Sequence, residues 1–130
     1  MTSYRLGGVL LAAATLLSTV LAGSASADRP WSMLTLTVAA PHGAGSTVHL
    51  QCHPAGGSHP NPESACRAVG TAHGDFDDLP GSPQFVACTM EYRPVTASAR
   101  GSWHGRHVRW KHKFANPCTL RADTGVVFDF

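Results

Sequence analysis

The chain has 130 residues, a formal net charge of +2 and four cysteines. This length suits one modest domain, and a near-neutral charge argues against a nucleic-acid-binding protein. The charged Arg5, an uncharged apolar run over residues 6–21 and the small residues 25–27 follow one another at the start. That order is typical of a secretory signal peptide. Residues 1–27 are therefore predicted to be removed, and residues 28–130 to form one secreted domain with no membrane segment.

The four cysteines all lie in the predicted mature chain, at Cys52, Cys66, Cys88 and Cys118. An even number in a small secreted domain indicates two disulfides, which help to stabilise a core of limited size. Three pairings are possible. The sequential pairing is favoured because the stretch between Cys52 and Cys66 is rich in Pro and Gly and can fold back on itself. The cysteines are too dispersed, with no Cys-x-x-Cys pair, to favour a zinc site.

The first half of the mature chain is predicted to form a hairpin and a helix. Alternating apolar and polar residues predict strands over residues 33–40 and 47–52. Residues 53–61 are rich in Pro and Gly and are predicted to be a loop. A helix is predicted to follow, with Asn61 as its N-cap and its end near Gly74.

The second half is predicted to be mostly extended. Phe85 and Val86 begin an extended segment that leads to Cys88, and a second hairpin is predicted with arms 96–103 and 106–114. Alternation predicts a closing strand over residues 126–130. The expected fold class is α+β, with about five mostly antiparallel strands and one main helix packed against the sheet.

A basic stripe lies on the second arm of this hairpin. Its members are Arg106, Arg109, Lys111 and Lys113. A stripe of this kind is most often the solvated face of a strand, so no nucleic-acid partner is predicted from it.

The segment from Phe85 to Val95, FVACTMEYRPV, has a cysteine two residues before Met90 and a proline four residues after it. If Cys88 is bridged to Cys118, residues 89–92 form an exposed strip that is anchored by a covalent link. A protease binds exposed, extended backbone as a substrate, whereas a rigid segment of the same kind can act as an inhibitor.

Further motifs accompany this segment in a fixed order along the mature chain. They are Leu34-Thr-Leu-Thr-Val38, His59-Pro60, Ser64-Ala-Cys66, Cys88-Thr-Met-Glu-Tyr-Arg-Pro-Val95, Gly101-Ser-Trp-His-Gly-Arg-His-Val108, Phe114-Ala-Asn-Pro-Cys118 and Val127-Phe-Asp-Phe130. In their order and spacing the chain resembles the Streptomyces subtilisin inhibitor family of secreted serine protease inhibitors. The resemblance implies a five-stranded antiparallel sheet with two helices on one side, the second a short one after Cys118. It also implies the sequential disulfide pairing and a homodimer joined through the sheets.

The resemblance also implies a reactive site in the loop. Met90–Glu91 would be the bond presented to the protease, with Met90 as the P1 residue that fills the main specificity pocket. The neighbouring residues that would contact the protease are Ala87 (P4), Cys88 (P3), Thr89 (P2), Tyr92 and Arg93. Pro94 would restrict the backbone, and Asn116 would hydrogen-bond loop carbonyls. The expected partner is a subtilisin-like serine protease, and no cofactor is expected.

Other functions are weighed against this one. The sequence has no nucleophile elbow and no zincin motif, so the chain is not predicted to be an enzyme. No metal site is predicted, because the eight histidines are scattered and His107 and His112 point to opposite faces of one strand. Glu91 puts a charge beside the scissile bond, and Ala87 is small for a P4 residue. Glu91 keeps one alternative open, namely a secreted binding or scaffold protein of the same fold, or a substrate of a cross-linking enzyme, with little protease inhibition.

Overall fold

The computed structural model describes residues 23, 32–82 and 87–130. The predicted signal peptide, apart from Gly23, lies outside the described residues, and so does the extended segment predicted to begin at Phe85 and Val86. The helices, strands and contacts given below are those of the described residues.

One five-stranded antiparallel sheet forms the frame of the domain. Its strands are β1 (Ser32–Ala39), β2 (Ser46–Cys52), β3 (Gly56–Gly57), β4 (Val95–Trp103) and β5 (Arg106–Phe114), in the order β3-β2-β1-β4-β5. The β1–β2 and β4–β5 pairs are the two hairpins that the alternating pattern predicts. The central pairing of β1 with β4, in which Leu36 lies opposite Ala99, joins the two hairpins into one sheet.

The short strand β3 corrects one prediction. Residues 53–61 were expected to form only a loop, but Gly56 and Gly57 pair with β2 at the edge of the sheet. Gly57 has φ +95°, and a Cβ there would lie 2.2 Å from the His49 carbonyl oxygen. The strand therefore depends on glycine, a residue that sequence patterns associate with loops.

The end of the chain corrects a second prediction. Residues 126–130 were expected to form a strand because Val126, Phe128 and Phe130 alternate with other residues. Gly125–Phe128 is instead a 3-10 turn, in which Val127 is completely buried. The turn packs against both helices, so apolar residues on more than one side of it are covered. Alternation over five residues could not distinguish this arrangement from a strand.

Two helices cover one face of the sheet. Helix α1 (Pro62–Thr71) packs on β2, and helix α2 (Pro117–Thr124) packs on β4 and β5. The predicted N-cap Asn61 makes no side-chain capping bond; its carbonyl accepts from Ala65 N at 3.0 Å. Helix α2 contains Cys118 rather than following it, because the helix begins at Pro117, where proline is favoured.

The hydrophobic core lies between the inner face of the sheet and the helices. Leu36, Leu50, Val69 and Val127 have no accessible surface. Neither helix among the described residues is long and apolar enough to cross a bilayer.

Two disulfides connect these layers, and they confirm the sequential pairing. Cys52–Cys66 joins β2 to α1, and Cys88–Cys118 joins the segment before β4 to α2. The first bridge lies beside the core. The second bridge holds the segment that contains the predicted reactive bond.

Candidate functional site

The segment 87–94 contains the residues predicted to contact a protease, and it has no regular secondary structure. Met90 is 99% exposed and Tyr92 is 70% exposed. The exposed residues of the segment also include Ala87, Thr89, Glu91 and Arg93, whereas Cys88 and Pro94 are half-buried. An apolar side chain held almost entirely in solvent on a loop is a candidate for binding a partner.

The loop is tied to the body of the domain on both sides of the Met90–Glu91 bond. On the amino-terminal side, Cys88 is bridged to Cys118 in α2. On the other side, the backbone N–H of Arg93 donates to the carbonyl of Ala115 at 2.9 Å. Both ties lead to the same short stretch of chain, residues 115–118, which therefore forms the floor of the loop.

Asn116 provides a third tie, directly beneath Met90. Its side chain is buried, with 4% exposure. The Nδ2 group donates to the carbonyl of Thr89 at 3.3 Å and to the carbonyl of Glu91 at 2.8 Å. The two accepting carbonyls belong to the residues on either side of Met90. One buried amide thus spans the position of the predicted P1 residue and leaves the Met90 side chain pointing into solvent.

The orientation of Asn116 is set by helix α2, of which it is the N-cap. Its Oδ1 atom accepts from the backbone N–H of Thr119 at 2.9 Å. The Thr119 hydroxyl lies 2.9 Å from the Asn116 carbonyl and 3.3 Å from its backbone nitrogen, which completes a capping box. Because the oxygen of the amide is held by the helix, its nitrogen must face the loop carbonyls.

Thr119 is a site residue that the sequence reasoning did not identify. Its role is to position Asn116, with which it makes three hydrogen bonds. The pattern that could have revealed it is present in Asn116-Pro-Cys-Thr119, an N-cap residue followed by proline at the first helical position and a hydroxyl at the third.

The negatively charged side chain of Glu91 lies beside a positively charged side chain of the same loop. Arg93 Nε lies 3.4 Å from Glu91 Oε1, and both side chains are more than half exposed. An exposed pair of this kind contributes about 1 kcal/mol or less. Next to it, Lys113 Nζ lies 6.0 Å from the centre of the Tyr92 ring. The carboxylate of Glu91 therefore has one cationic partner, Arg93, in the loop.

The histidines do not come together into a metal site. Within residues 32–82 and 87–130, no group of three or more His, Cys, Asp or Glu side chains is placed to hold a metal ion. His107 and His112 lie on opposite faces of β5, and His112 stacks beside Trp110 with ring centroids 6.0 Å apart.

Comparison with known proteins assigns the chain to a family. The Subtilisin inhibitor-like family profile matches residues 30–116. Protease inhibitor SIL-V5 of Streptomyces luteoverticillatus is 44% identical over 105 residues, which cover 76% of this chain and 97% of that protein. The transglutaminase-activating metalloprotease inhibitor of Streptomyces mobaraensis is 39% identical over 105 residues, 76% of this chain and 71% of that protein. The chain belongs to the subtilisin inhibitor-like family.

A solved structure has the same fold. It is Streptomyces caespitosus sermetstatin, determined in complex with Bacillus licheniformis subtilisin. The match has a TM-score of 0.61 and 32% sequence identity, and it covers 76% of this chain and 98% of that chain.

Proposed function

We propose that this protein is a secreted inhibitor of subtilisin-like serine endopeptidases, and that it acts as a tightly bound substrate mimic rather than as an enzyme. The observation that carries the proposal is the Asn116 amide, which holds the carbonyls of Thr89 and Glu91 while Met90 between them is 99% exposed. A buried support beneath an exposed side chain is what a protease-binding loop requires, because the loop must present one residue and keep its backbone fixed.

Each loop residue has a role in this proposal. Met90 is the P1 residue, whose unbranched, polarisable side chain adapts to an apolar pocket. Thr89 is P2, where β-branching stiffens extended backbone. The remaining contacts are made by Ala87 at P4, Cys88 at P3, and Tyr92 and Arg93 on the leaving side. Pro94 limits backbone freedom before β4 begins.

Rigidity explains how such a loop inhibits. A flexible peptide loses conformational entropy when it binds as an added strand, whereas this loop is already ordered before it binds, so its affinity is higher. After attack by the catalytic serine, both new ends would stay close together. The Met90 side would be held by the Cys88–Cys118 bridge, and the Glu91 side by Asn116 and by the Arg93–Ala115 hydrogen bond. Resynthesis of the bond would therefore compete with release.

A second candidate function is supported by the exposed carboxylate of Glu91. Its side chain is 57% exposed beside the proposed scissile bond, where it would meet the entrance of a protease active site. If a protease could not accommodate this charge, the protein would instead be a secreted binding or scaffold protein of the same fold, or a substrate of a cross-linking enzyme. Limited proteolysis separates the two, since an inhibitor loop resists digestion or is cut only between Met90 and Glu91, whereas a mobile loop is degraded.

The location and assembly of the protein form part of the proposal. The mature chain is proposed to begin at Asp28 after removal of the signal peptide, and amino-terminal sequencing of secreted protein would test this. A homodimer is proposed through the outer face of the sheet, where Met33 is 53% exposed between Gln51 and Ser102 of the neighbouring strands. Sedimentation equilibrium over a range of concentrations would reveal the dimer.

The proposed function is tested by titrating the mature chain, residues 28–130, against subtilisin whose active sites have been counted. Chymotrypsin and trypsin are titrated in parallel. A sharp stoichiometric end point with subtilisin is expected. If none of the three proteases is inhibited while both disulfides are intact, the result would contradict the proposal and favour the second candidate.

A further inference from the structure

A cavity of about 570 Å³ lies between the end of helix α1 and the turn of the β4–β5 hairpin. It is on the helix side of the sheet, because its walls include residues of α1 and the buried Trp103. It is also at the opposite end of the sheet from the segment 87–94, which leads into β4 at Val95, whereas Trp103 ends that strand. The cavity is therefore outside both the protease-contacting loop and the outer face proposed for the dimer. It is called the basic cavity below.

Basic side chains surround this cavity, and none of the described residues that line it is acidic. Its basic and aromatic members are His53, Arg67, His73, Trp103, His104 and Arg106. Arg106 was predicted to belong to a basic stripe along β5, but its guanidinium donates to the His73 carbonyl at 2.6 Å and so lies at the cavity. The ion pairs of the described residues involve Arg93 and Arg121 instead. The two guanidinium charges of the basic cavity are therefore not neutralised by a carboxylate of the described chain.

The three histidines of the basic cavity share an unusual backbone conformation. His53, His73 and His104 have φ angles of 65°, 53° and 47°, and they are the non-glycine residues with positive φ in the part of the chain that the structure describes. His73 directly follows the C-cap of α1, where glycine or asparagine is preferred. His104 and Gly105 form the two-residue turn of the hairpin, for which Asn-Gly is preferred. Histidine tolerates this conformation, but turn formation alone does not explain why it occurs at both positions.

Contacts between distant parts of the chain bring these imidazoles together. The Cys52–Cys66 bridge holds His53, the residue after β2, beside helix α1. The rings of His53 and His104 pack edge to face with their centroids 5.2 Å apart. The His104 ring centroid also lies 4.8 Å from that of Trp103. The side chains of the basic cavity are therefore positioned in advance, as a binding site requires.

We propose that the basic cavity binds a small organic phosphate. Arg67 and Arg106 supply two positive charges, and a phosphomonoester carries a charge of about −1.5 to −2 at pH 7, so the two match. A carboxylate would offset only one of the guanidinium groups. Guanidinium forks are well suited to phosphate oxygens, and the imidazole N–H groups are further donors to them.

The size and the walls of the cavity favour a phosphate that carries a carbon group. Small-molecule sites have volumes of about 300–1,000 Å³ and combine apolar walls with a few polar groups. The basic cavity falls in this range, and Gly70 and Trp103 form apolar parts of its wall. The phosphate would be held by the arginines and histidines, and the carbon group would lie against this apolar part.

The binding experiment titrates the mature chain with phenyl phosphate at pH 7 and low salt, by isothermal titration calorimetry. Saturable binding is expected. Inorganic phosphate should bind more weakly because it has no carbon group, and benzoate should bind more weakly because it carries a single charge. No saturable binding at millimolar phenyl phosphate would overturn the proposal. Equal affinity for inorganic phosphate would overturn the assignment to an organic ligand, and equal affinity for benzoate would overturn the assignment to phosphate.

His104→Asn separates the turn from the binding site. Asparagine suits the positive φ of this turn, so the melting temperature should be kept or raised. The variant lacks the imidazole donor, so its affinity for phenyl phosphate should fall by about three- to tenfold. His42→Asn is the matched control, because His42 is an exposed histidine in the turn between β1 and β2, at the other end of the sheet. Equal affinities of the two variants would contradict the proposed site.

Arg67→Gln should lower the affinity by about tenfold or more, because it removes one of the two guanidinium charges. Arg121→Gln is its control, since it removes the same charge from an exposed position on α2. If these two variants bind phenyl phosphate equally well, the ligand is not bound at the basic cavity and the proposal fails. Melting temperatures establish that each variant is folded. If Arg67→Gln is not, it is replaced by Arg67→Lys, which keeps the charge, loses the fork and should also bind more weakly.

Discussion

The side chain of Asn116 donates to the carbonyl of Glu91 at 2.8 Å, twenty-five residues away in the chain. The same side chain accepts from Thr119 N as the N-cap of α2. The first turn of a helix and the backbone of an exposed loop therefore share one amide group. Anything that rotates or removes this amide should affect the loop and the helix together, unless the substitution preserves one of the two interactions.

Asn116→Asp separates the two roles of the amide. Aspartate retains an acceptor for the Thr119 N–H, so the cap and the melting temperature should be largely kept. It loses the donor to the carbonyls of Thr89 and Glu91, which leaves these acceptors facing a carboxylate. Two lost hydrogen bonds at about 0.5–1.5 kcal/mol each cost about 1–3 kcal/mol, so inhibition should weaken by roughly 10- to 100-fold. Inhibition constants against subtilisin and thermal unfolding measure the two effects.

Asn116→Ala is the comparison for this prediction, since it removes both interactions. It should weaken inhibition and also lower the free energy of unfolding by about 1 kcal/mol through loss of the cap. If Asn116→Asp inhibits as well as the unchanged chain, the amide does not support the loop.

The Cys88–Cys118 bridge should be required for inhibition in a way that Cys52–Cys66 is not. Replacing either pair by serine should reduce stability by about 3–4 kcal/mol, because the bridged residues are 30 and 14 positions apart. Removal of the Cys88–Cys118 pair should also turn the inhibitor into a substrate, because the Met90 side of the loop is released. The time course of loop cleavage by subtilisin, followed at a temperature where both variants are folded, gives the result. Similar cleavage of both variants would show that the bridge acts only on overall stability.

Met90→Lys should redirect inhibition towards trypsin. A P1 residue is a dominant contact, so a change worth at least about 2 kcal/mol, or roughly 30-fold, is expected in favour of trypsin and against subtilisin. Met33→Lys is the control, because Met33 is also an exposed methionine but lies on the outer face of the sheet. Parallel titrations of the two variants against both proteases are compared. Unchanged selectivity of Met90→Lys would remove Met90 from the P1 position.

Glu91→Val should tighten binding to subtilisin by about fivefold, corresponding to about 1 kcal/mol, if the carboxylate is unfavourable at the active site. The variant also breaks the exposed pair with Arg93, which contributes little to stability. Arg93→Gln breaks the same pair but keeps the carboxylate, so it should not tighten binding. Equal inhibition constants for Glu91→Val and the unchanged chain would mean that the charge at this position has no effect on subtilisin binding.

The fold was predictable from the sequence where side-chain patterns were long. The alternation in β1, β2, β4 and β5 identified both hairpins, and an Asn-Pro start identified α1. The alternating pattern failed to predict the elements that depend on backbone conformation rather than on side chains. Strand β3 consists of two glycines, and the 3-10 turn at Gly125–Phe128 follows a glycine with φ +58°.

For the candidate site, the sequence proposed residues but did not define their geometry. The loop and Asn116 followed from family resemblance and from the position of Asn116 two residues before Cys118. The sequence Asn116-Pro-Cys-Thr119 contains the pattern of a capping box, but nothing in it indicated that this cap turns the amide nitrogen towards the loop, or that Arg93 lies beside Glu91. These interactions depend on side-chain rotamers and on the packing of α2 beneath the loop, which become defined only when the chain is folded.

The most direct test of the account is to identify the bond that subtilisin cuts during prolonged incubation with the mature chain. Mass spectrometry of the recovered inhibitor, with and without reduction, would locate it. The account predicts one cut, between Met90 and Glu91, in a protein whose two pieces stay joined by Cys88–Cys118 until reduction. A first cut at any other bond, or rapid cleavage at several bonds, would contradict the claim that this loop is a rigid, substrate-like inhibitor site.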